Sequence, residues 1–225
     1  MNEILFFTQV LVILFFALAA LKLGKGALTA WVAVQALVAN LFVLKQINLF
    51  GFEVTASDAF AIGSLLGLNF LQEYFSREDA QKSTWICFFF MSFFAIVSQL
   101  HLAYLPSQYD TTQLAFTTIL TASPRLLLAS LSVFFVVQQF DIRFFAFLKQ
   151  RFPYANFSTR AGITLLTSQL LDTVLFSFAG LYGIVASVLD IIMVSYLIKL
   201  FVIFFYSVFM RLVICRAEYK HDSLL

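Results

Sequence analysis

The sequence predicts an all-α membrane protein, a polytopic bundle of about seven transmembrane helices that forms a single domain over residues 1–225. Of these residues 62% are hydrophobic and 12% are charged, whereas soluble domains carry about 25% charged residues. Seven apolar runs are each long enough to cross the roughly 30 Å hydrocarbon core of a bilayer as a helix. The basic residues also fall mainly into alternate connections between these runs.

The first apolar run has the length of a signal peptide, but its flanking charges are reversed. Lys22 and Lys25 follow the run, and no basic residue precedes it. A cleaved signal has its basic residues in front, so we expect residues 1–26 to hold a retained N-terminal helix. The other six predicted spans fall within residues 27–210. The predicted spans are residues 4–21, 27–44, 57–75, 84–104, 122–140, 161–179 and 184–210.

Basic residues collect on one side of the predicted bundle. Residues 22–26, 76–83 and 141–160, together with the tail at 211–225, hold most of the 14 lysines and arginines. The connections on the other side hold one basic residue, Lys45. Because cytoplasmic loops carry the excess of Lys and Arg, we expect the N-terminus outside and a cytoplasmic C-terminal tail. The polar connection at 105–121 is expected to be a connector or a lid.

Charged and amide side chains inside the apolar runs mark the candidate site, since a charge at the bilayer centre costs roughly 2.5–3.5 kcal/mol. Asp172 lies near the middle of the sixth run, and Gln169 precedes it by three residues on the same helix face. Gln138 and Asp141 repeat this spacing at the end of the fifth run. Lys199 is deep enough in the seventh run to require a carboxylate, and Asp172 is its predicted partner.

Two other spans contribute polar residues. In the third, Asn69, Gln72 and Glu73 lie near one face and are expected to face a cavity, and in the fifth Arg125 is expected to face the bundle. Two alternatives stay open: Arg125 could extend to lipid headgroups, and the Asp172–Lys199 pair could be purely structural. The predicted site for a small polar solute comprises Asn69, Gln72, Glu73, Arg125, Gln138, Asp141, Gln169, Asp172 and Lys199.

The sequence lacks the common enzyme motifs. The sequence contains no H-E-x-x-H, no G-x-S-x-G and no G-x-x-x-x-G-K-[ST] motif. Metalloproteases, acyl hydrolases and ATPases of the common classes need these residues. We therefore expect a non-enzyme with no metal, no cofactor and no nucleic-acid partner. Amides, carboxylates and aromatic rings within a membrane instead favour a planar heterocycle as ligand, with its N–H and amino groups donating to carboxylates.

Several segments, taken together, carry a resemblance to a known family: residues 40–45 with 49–52, 124–130, 138–141, 168–173 and 196–199. Over roughly residues 27–210 the chain resembles the VUT family of queuosine precursor transporters. The resemblance implies a six-helix core similar in plan to the substrate-binding subunits of energy-coupling-factor vitamin importers. It also implies a multi-pass protein of the bacterial cytoplasmic (inner) membrane that imports a 7-deazaguanine base, either queuine or its cyano- or aminomethyl-substituted precursors.

The resemblance also implies roles for particular residues. Asp172 or Glu73 would accept hydrogen bonds from the base, and Glu73 matches the family pattern. Asn69 stands where the family usually has Asp, and residues 206–208 replace its usual Asp-Thr-Pro, so the loss of negative charge weighs against a cationic aminomethyl base. Two other functions stay open: a binding subunit that needs a separate ATP-driven module, and a membrane-embedded lipid-modifying enzyme. Proton coupling and a homo-oligomer are open as well.

Overall fold

A computed structural model describes residues 1–43, 45–55, 57–120, 124–183 and 188–222, with the backbone alone for 124–127, 181, 190 and 211–222. Helices dominate this part of the chain, as the sequence predicts, and one hairpin is added. The elements are α1 (Asn2–Leu23), α2 (Lys25–Phe42), β1 (Gln46–Leu49), β2 (Phe52–Thr55), α3 (Asp58–Tyr74), α4 (Arg77–Leu102), α5 (Gln113–Leu120), α6 (Pro124–Arg151), α7 (Phe157–Phe176), a π-helical turn (Ser177–Leu181) and α8 (Val188–Asp222).

Six helices in the described ranges are long and apolar enough to cross a membrane: α1, α2, α4, α6, α7 and α8. The predicted third span corresponds to α3, which is shorter at 17 residues. Most residues of α3 are buried, and it packs against each of these six helices. α3 is therefore the central helix of the bundle, while the exposed faces of its neighbours carry many large apolar side chains suited to contact with lipid.

Three helices extend well beyond their predicted spans, and one of them is α4, which begins at Arg77 although its span was expected to begin at residue 84. α6 continues to Arg151 although the fifth span was expected to end at residue 140, and α8 continues through much of the expected tail. The charges of Arg143 and Lys149 give residues 141–151 the composition of a loop. Ile142 and Phe145 in the same segment are nevertheless fully buried, so the inner face of the helix stays apolar there. Asp141 consequently lies inside the bundle and not at its boundary.

Two connections contain elements that were not predicted. The connection at 105–121 includes α5, and the connection between α2 and α3 is an antiparallel hairpin. Phe50 and Gly51 at the hairpin turn both have positive φ, 53° and 86°, as a type I′ turn requires. The amide of Phe50 donates to Glu3 at 3.3 Å, and Asn2 donates to the carbonyl of Asn48 at 2.9 Å. The hairpin is thereby attached to the start of α1.

Close packing between α2 and α3 depends on glycine. A Cβ atom added at Gly67 would lie 2.8 Å from Val32 Cγ2 and 3.2 Å from Trp31 Cδ1, and a β-branched valine has little freedom to move away. We expect Gly67→Ala to lower the free energy of unfolding by about 1–3 kcal/mol, measured by unfolding the purified protein in detergent. Gly26→Ala, in α2, would meet nothing within 4 Å and should cause no loss. Equal stability of both variants would show that this contact adapts freely.

Candidate functional site

Ten of the described side chains have buried polar atoms without hydrogen-bond partners, and five of these ten lie on α3, α6 and α7 and are at most 5% exposed. Asn69 and Gln72 lack partners for both of their polar side-chain atoms, and Gln138, Asp141 and Gln169 each lack one for an oxygen. These five residues are here called the interior polar group. Buried polar atoms in proteins are nearly always hydrogen-bonded, so this group has the character of a ligand-binding site.

Contacts between helices bring the members of the group to a similar depth. The Ser168 hydroxyl in α7 donates to Asp141 Oδ1 in α6 at 2.7 Å, and Gln169 is the next residue of α7. In the other direction, Gln138 Nε2 in α6 donates to Ser64 Oγ in α3 at 3.4 Å. Asp141 lies about 4.5 Å beyond Gln138 along the axis of α6.

The two α3 members of the group lie further toward the Tyr74 end of α3 than Ser64 does. Asn69 is five residues, or about 7.5 Å, beyond Ser64, and Gln72 is eight residues, or about 12 Å, beyond it. The group therefore spans a layer of the bundle that α3, α6 and α7 share.

A cluster of ions closes one end of this layer. Glu73 Oε1 accepts from Arg160 Nη2 at 2.6 Å, and Glu73 Oε2 lies 3.1 Å from Lys149 Nζ. Lys149 also donates to the carbonyls of Gln72 and Glu73 at 3.2 Å, which the end of α3 leaves unpaired. We call Glu73, Lys149 and Arg160 the Glu73 cluster; it joins the end of α3 to α6 and α7.

A second cluster lies at the other end of α3. Lys199 Nζ in α8 is 2.8 Å from Asp172 Oδ2, 3.0 Å from Thr173 Oγ1 and 3.7 Å from Asp58 Oδ1. The predicted pairing of Lys199 with Asp172 is confirmed. Lys199, Asp58 and Asp172, here called the Lys199 cluster, join α8 to α3 and α7. Asp58 and Glu73 are 15 residues apart on one helix, about 22 Å, so the interior polar group lies between the two clusters.

Comparison with known proteins identifies the relationship of this chain. A family model described as "Putative vitamin uptake transporter" matches residues 55–213. The chain belongs to this family. The matched residues carry the interior polar group and both clusters, and the resemblance seen in the sequence is confirmed. The "Probable queuosine precursor transporter" of Bacillus subtilis (strain 168) is 31% identical over 179 residues, which cover 78% of this chain and 78% of the relative. The chain matches no solved structure.

Membership of the vitamin uptake transporter family, together with the apolar helices, makes this chain a multi-pass membrane protein. The predicted site residues fall into three groups within it. Five form the interior polar group, Glu73 belongs to one ion cluster, and Asp172 and Lys199 belong to the other. The side chain of Arg125 lies outside the described residues. Glu73 and Asp172, the expected acceptors for a base, both have basic partners here.

Sequence reasoning missed Asp58, Lys149 and Arg160 as members of the clusters. Asp58 begins its helix, where a carboxylate commonly marks the membrane interface, and the two basic residues were assigned to a loop. The spacing does contain one usable signal. Arg160, Thr164 and Ser168 recur every four residues on α7 and are all buried, so the face that carries the hydroxyls also carries the arginine.

Proposed function

We propose that this protein imports a queuosine precursor, a 7-deazaguanine base, across the bacterial cytoplasmic membrane. The supporting observation is the interior polar group, whose unpartnered donors and acceptors come from three helices in the middle of a membrane-embedded bundle. Such atoms suit a ligand that offers its own donors and acceptors along its edges, as a guanine-like base does. The family match and the name of the Bacillus subtilis relative support the same substrate class.

The amides and the carboxylate have complementary roles in this proposal. Asp141 Oδ2 and the free amide oxygens of Gln138 and Gln169 would accept from the N–H and amino groups of the base. Asn69 and Gln72 present both donors and acceptors and would pair with the opposite edge. The group is closed off from solvent, so helices must separate before a base can enter.

The two ion clusters would hold the two ends of the pathway closed. We place seven spans across the membrane, including the short α3, with the N-terminus outside and the C-terminus in the cytoplasm. The Glu73 cluster then lies at the cytoplasmic end, beside the basic loops that the positive-inside rule places there. The Lys199 cluster lies toward the outer end. Opening either cluster would expose the interior polar group to one side.

Uptake by the chain alone tests this function. The protein is expressed in a bacterial strain that neither makes nor imports queuosine precursors, and queuosine in tRNA is measured after feeding each candidate base. We expect queuosine to appear with the unchanged chain and to be lost in Gln169→Leu. Gln150→Leu is the matched control, because Gln150 is exposed at the end of α6, and should preserve it.

The same assay separates the alternative functions. If the chain were a binding subunit of an energy-coupling-factor importer, a host without such a module would show no uptake until an ATPase partner was supplied. A lipid-modifying enzyme would give no queuosine under any feeding regime. Queuosine at background level with every base, in membranes that contain normal amounts of the protein, would overturn the proposal.

A further inference from the structure

Asp141 differs from the carboxylates of the two ion clusters because it has no cationic partner among the described side chains. It is fully buried. Oδ1 accepts a hydrogen bond from the Ser168 hydroxyl at 2.7 Å, and Oδ2 has no partner. By contrast, Asp58, Glu73 and Asp172 each lie within 3.7 Å of a lysine or arginine nitrogen. The carboxyl group of Asp141 therefore sits in the bundle with nothing to balance a negative charge.

The elements packed against α6 supply no balancing charge either. These elements are α3, α4, α7 and the π-helical turn, together with α2 through the hydrogen bond from Ser130 to Asn40, and the one charged residue of α2 is Lys25 at its start. The charged residues described on α3 and α7 are those of the two clusters, and the π-helical turn contains none. On α4, Cys87 contacts Gln138, while the other ionisable residues lie toward its two ends: Arg77, Glu78, Asp79, Lys82 and His101.

The basic residues of α6 itself do not serve as partners for the Asp141 carboxylate either. Arg143 is exposed, and Lys149 belongs to the Glu73 cluster. Arg125 is 16 positions from Asp141 in the same helix, about 24 Å along its axis. None of the described side chains therefore supplies the positive charge that Asp141 would need if the bundle closed around an ionised carboxylate.

The electrostatic cost of burying the Asp141 carboxylate without a partner sets a requirement on the charge of the substrate. An unpaired ionised carboxylate in an apolar interior is strongly disfavoured. We propose that the bundle closes around its substrate only when Asp141 is neutralised by one positive charge, brought either by a cationic base or by a proton that accompanies a neutral base. This inference rests on the proposed function. It adds that Asp141 makes closure of the bundle depend on the charge of the bound base.

Two candidate bases differ in their charge. The aminomethyl-substituted base is a cation near neutral pH, and the cyano-substituted base is neutral. With the cation, the ammonium group pairs with the Asp141 carboxylate; with the neutral base, a proton bonds to the carboxylate oxygen. The protein in the neutral complex therefore carries one proton more than the protein in the cationic complex. Protons that the two ion clusters gain or lose on closure would be shared by both complexes and cancel in the difference.

Calorimetry of the full chain in lipid nanodiscs measures that difference. Each base is titrated in two buffers of unlike ionisation enthalpy, which gives the protons bound or released per base. We expect the two bases to differ by about one proton on the unchanged protein. Equal proton counts would overturn the inference and leave the proposed function standing. Failure of both bases to bind would overturn both.

A substitution assigns the effect to this residue. Asp141→Asn keeps a hydrogen-bond acceptor for Ser168 and removes the charge, so the proton difference should vanish and the affinity for the cationic base should fall by at least about 30-fold. The affinity for the neutral base should change much less. Asp110→Asn, on an exposed loop, should retain the full difference. A difference that persists in Asp141→Asn would overturn the inference, and if that variant does not fold the two-base comparison on the unchanged chain decides alone.

Discussion

Asn69→Leu is expected to stabilise the protein and to abolish uptake. Asn69 is fully buried, and neither of its polar side-chain atoms has a partner. A buried polar group without a partner costs about 1–3 kcal/mol, and leucine of similar size removes that penalty. The same substitution removes the donor and acceptor that we assign to the edge of the base. The two readouts are unfolding of the purified protein in detergent and queuosine in tRNA of the host strain.

Asn40→Leu is the matched control because both polar atoms of the Asn40 side chain have hydrogen-bond partners. Its Nδ2 donates to the carbonyl of Ala36 at 3.0 Å, and its Oδ1 accepts from Ser130 at 2.8 Å. We expect this variant to lose about 0.5–1.5 kcal/mol of stability and to keep its uptake. Loss of stability in Asn69→Leu would mean that Asn69 has a structural partner after all. Normal uptake in that variant would exclude Asn69 from the substrate site.

Opposite effects on stability and function are what a binding site in a closed bundle should show. Natural proteins accept a local loss of stability where function requires polar groups. The side chains around the interior polar group leave some of its polar atoms without hydrogen bonds, whereas the charged residues at both ends of α3 have ion-pair partners. This contrast separates the residues proposed to meet the base from those that hold the helices together.

The helical membrane architecture could be predicted from composition and hydrophobic run length alone. The pairing of Lys199 with Asp172 could be predicted too, because an ammonium group at membrane depth requires a carboxylate and few carboxylates lie at that depth. Both predictions depend on the cost of placing charge in lipid. That cost is a property of each residue and its depth, and it can be estimated without knowing how the helices pack.

Features that depend on helix packing could not be predicted in the same way. The assignment of residues 141–160 to a loop followed from their charges, which hid the continuation of α6 and the partnership of Lys149 and Arg160 with Glu73. Asp141 and Asp172 each follow a glutamine by three residues, but Asp141 stands at the end of its apolar run and its burial could not be read from the sequence. Only the contacts between helices show that Asp141 is fully buried and that one of its oxygens has no partner.

Lys199→Met is expected to reduce the amount of protein in the membrane more than any other single change proposed. Lys199 is 4% exposed and is the basic partner of both Asp58 and Asp172. Removing one member of a buried ion pair costs about 3–5 kcal/mol, because the remaining charge has no partner. Folded domains have only about 5–15 kcal/mol of stability in total. Immunoblots of membranes and unfolding in detergent should both show the loss, whereas Lys22→Met, at an exposed position, should show none.

The mechanism of this loss can be tested by removing the stranded charges. Combining Lys199→Met with Asp58→Asn and Asp172→Asn leaves no ion in the cluster, so abundance should recover toward that of the unchanged protein. Asp172→Asn alone should have a small effect on abundance, since Asp58 remains 3.7 Å from the ammonium group. If Lys199→Met alone were normally abundant, the two carboxylates would be adequately solvated without it. In that case the Lys199 cluster would not be what holds α8 against α3 and α7. A gate at that end would then have to be formed by other residues.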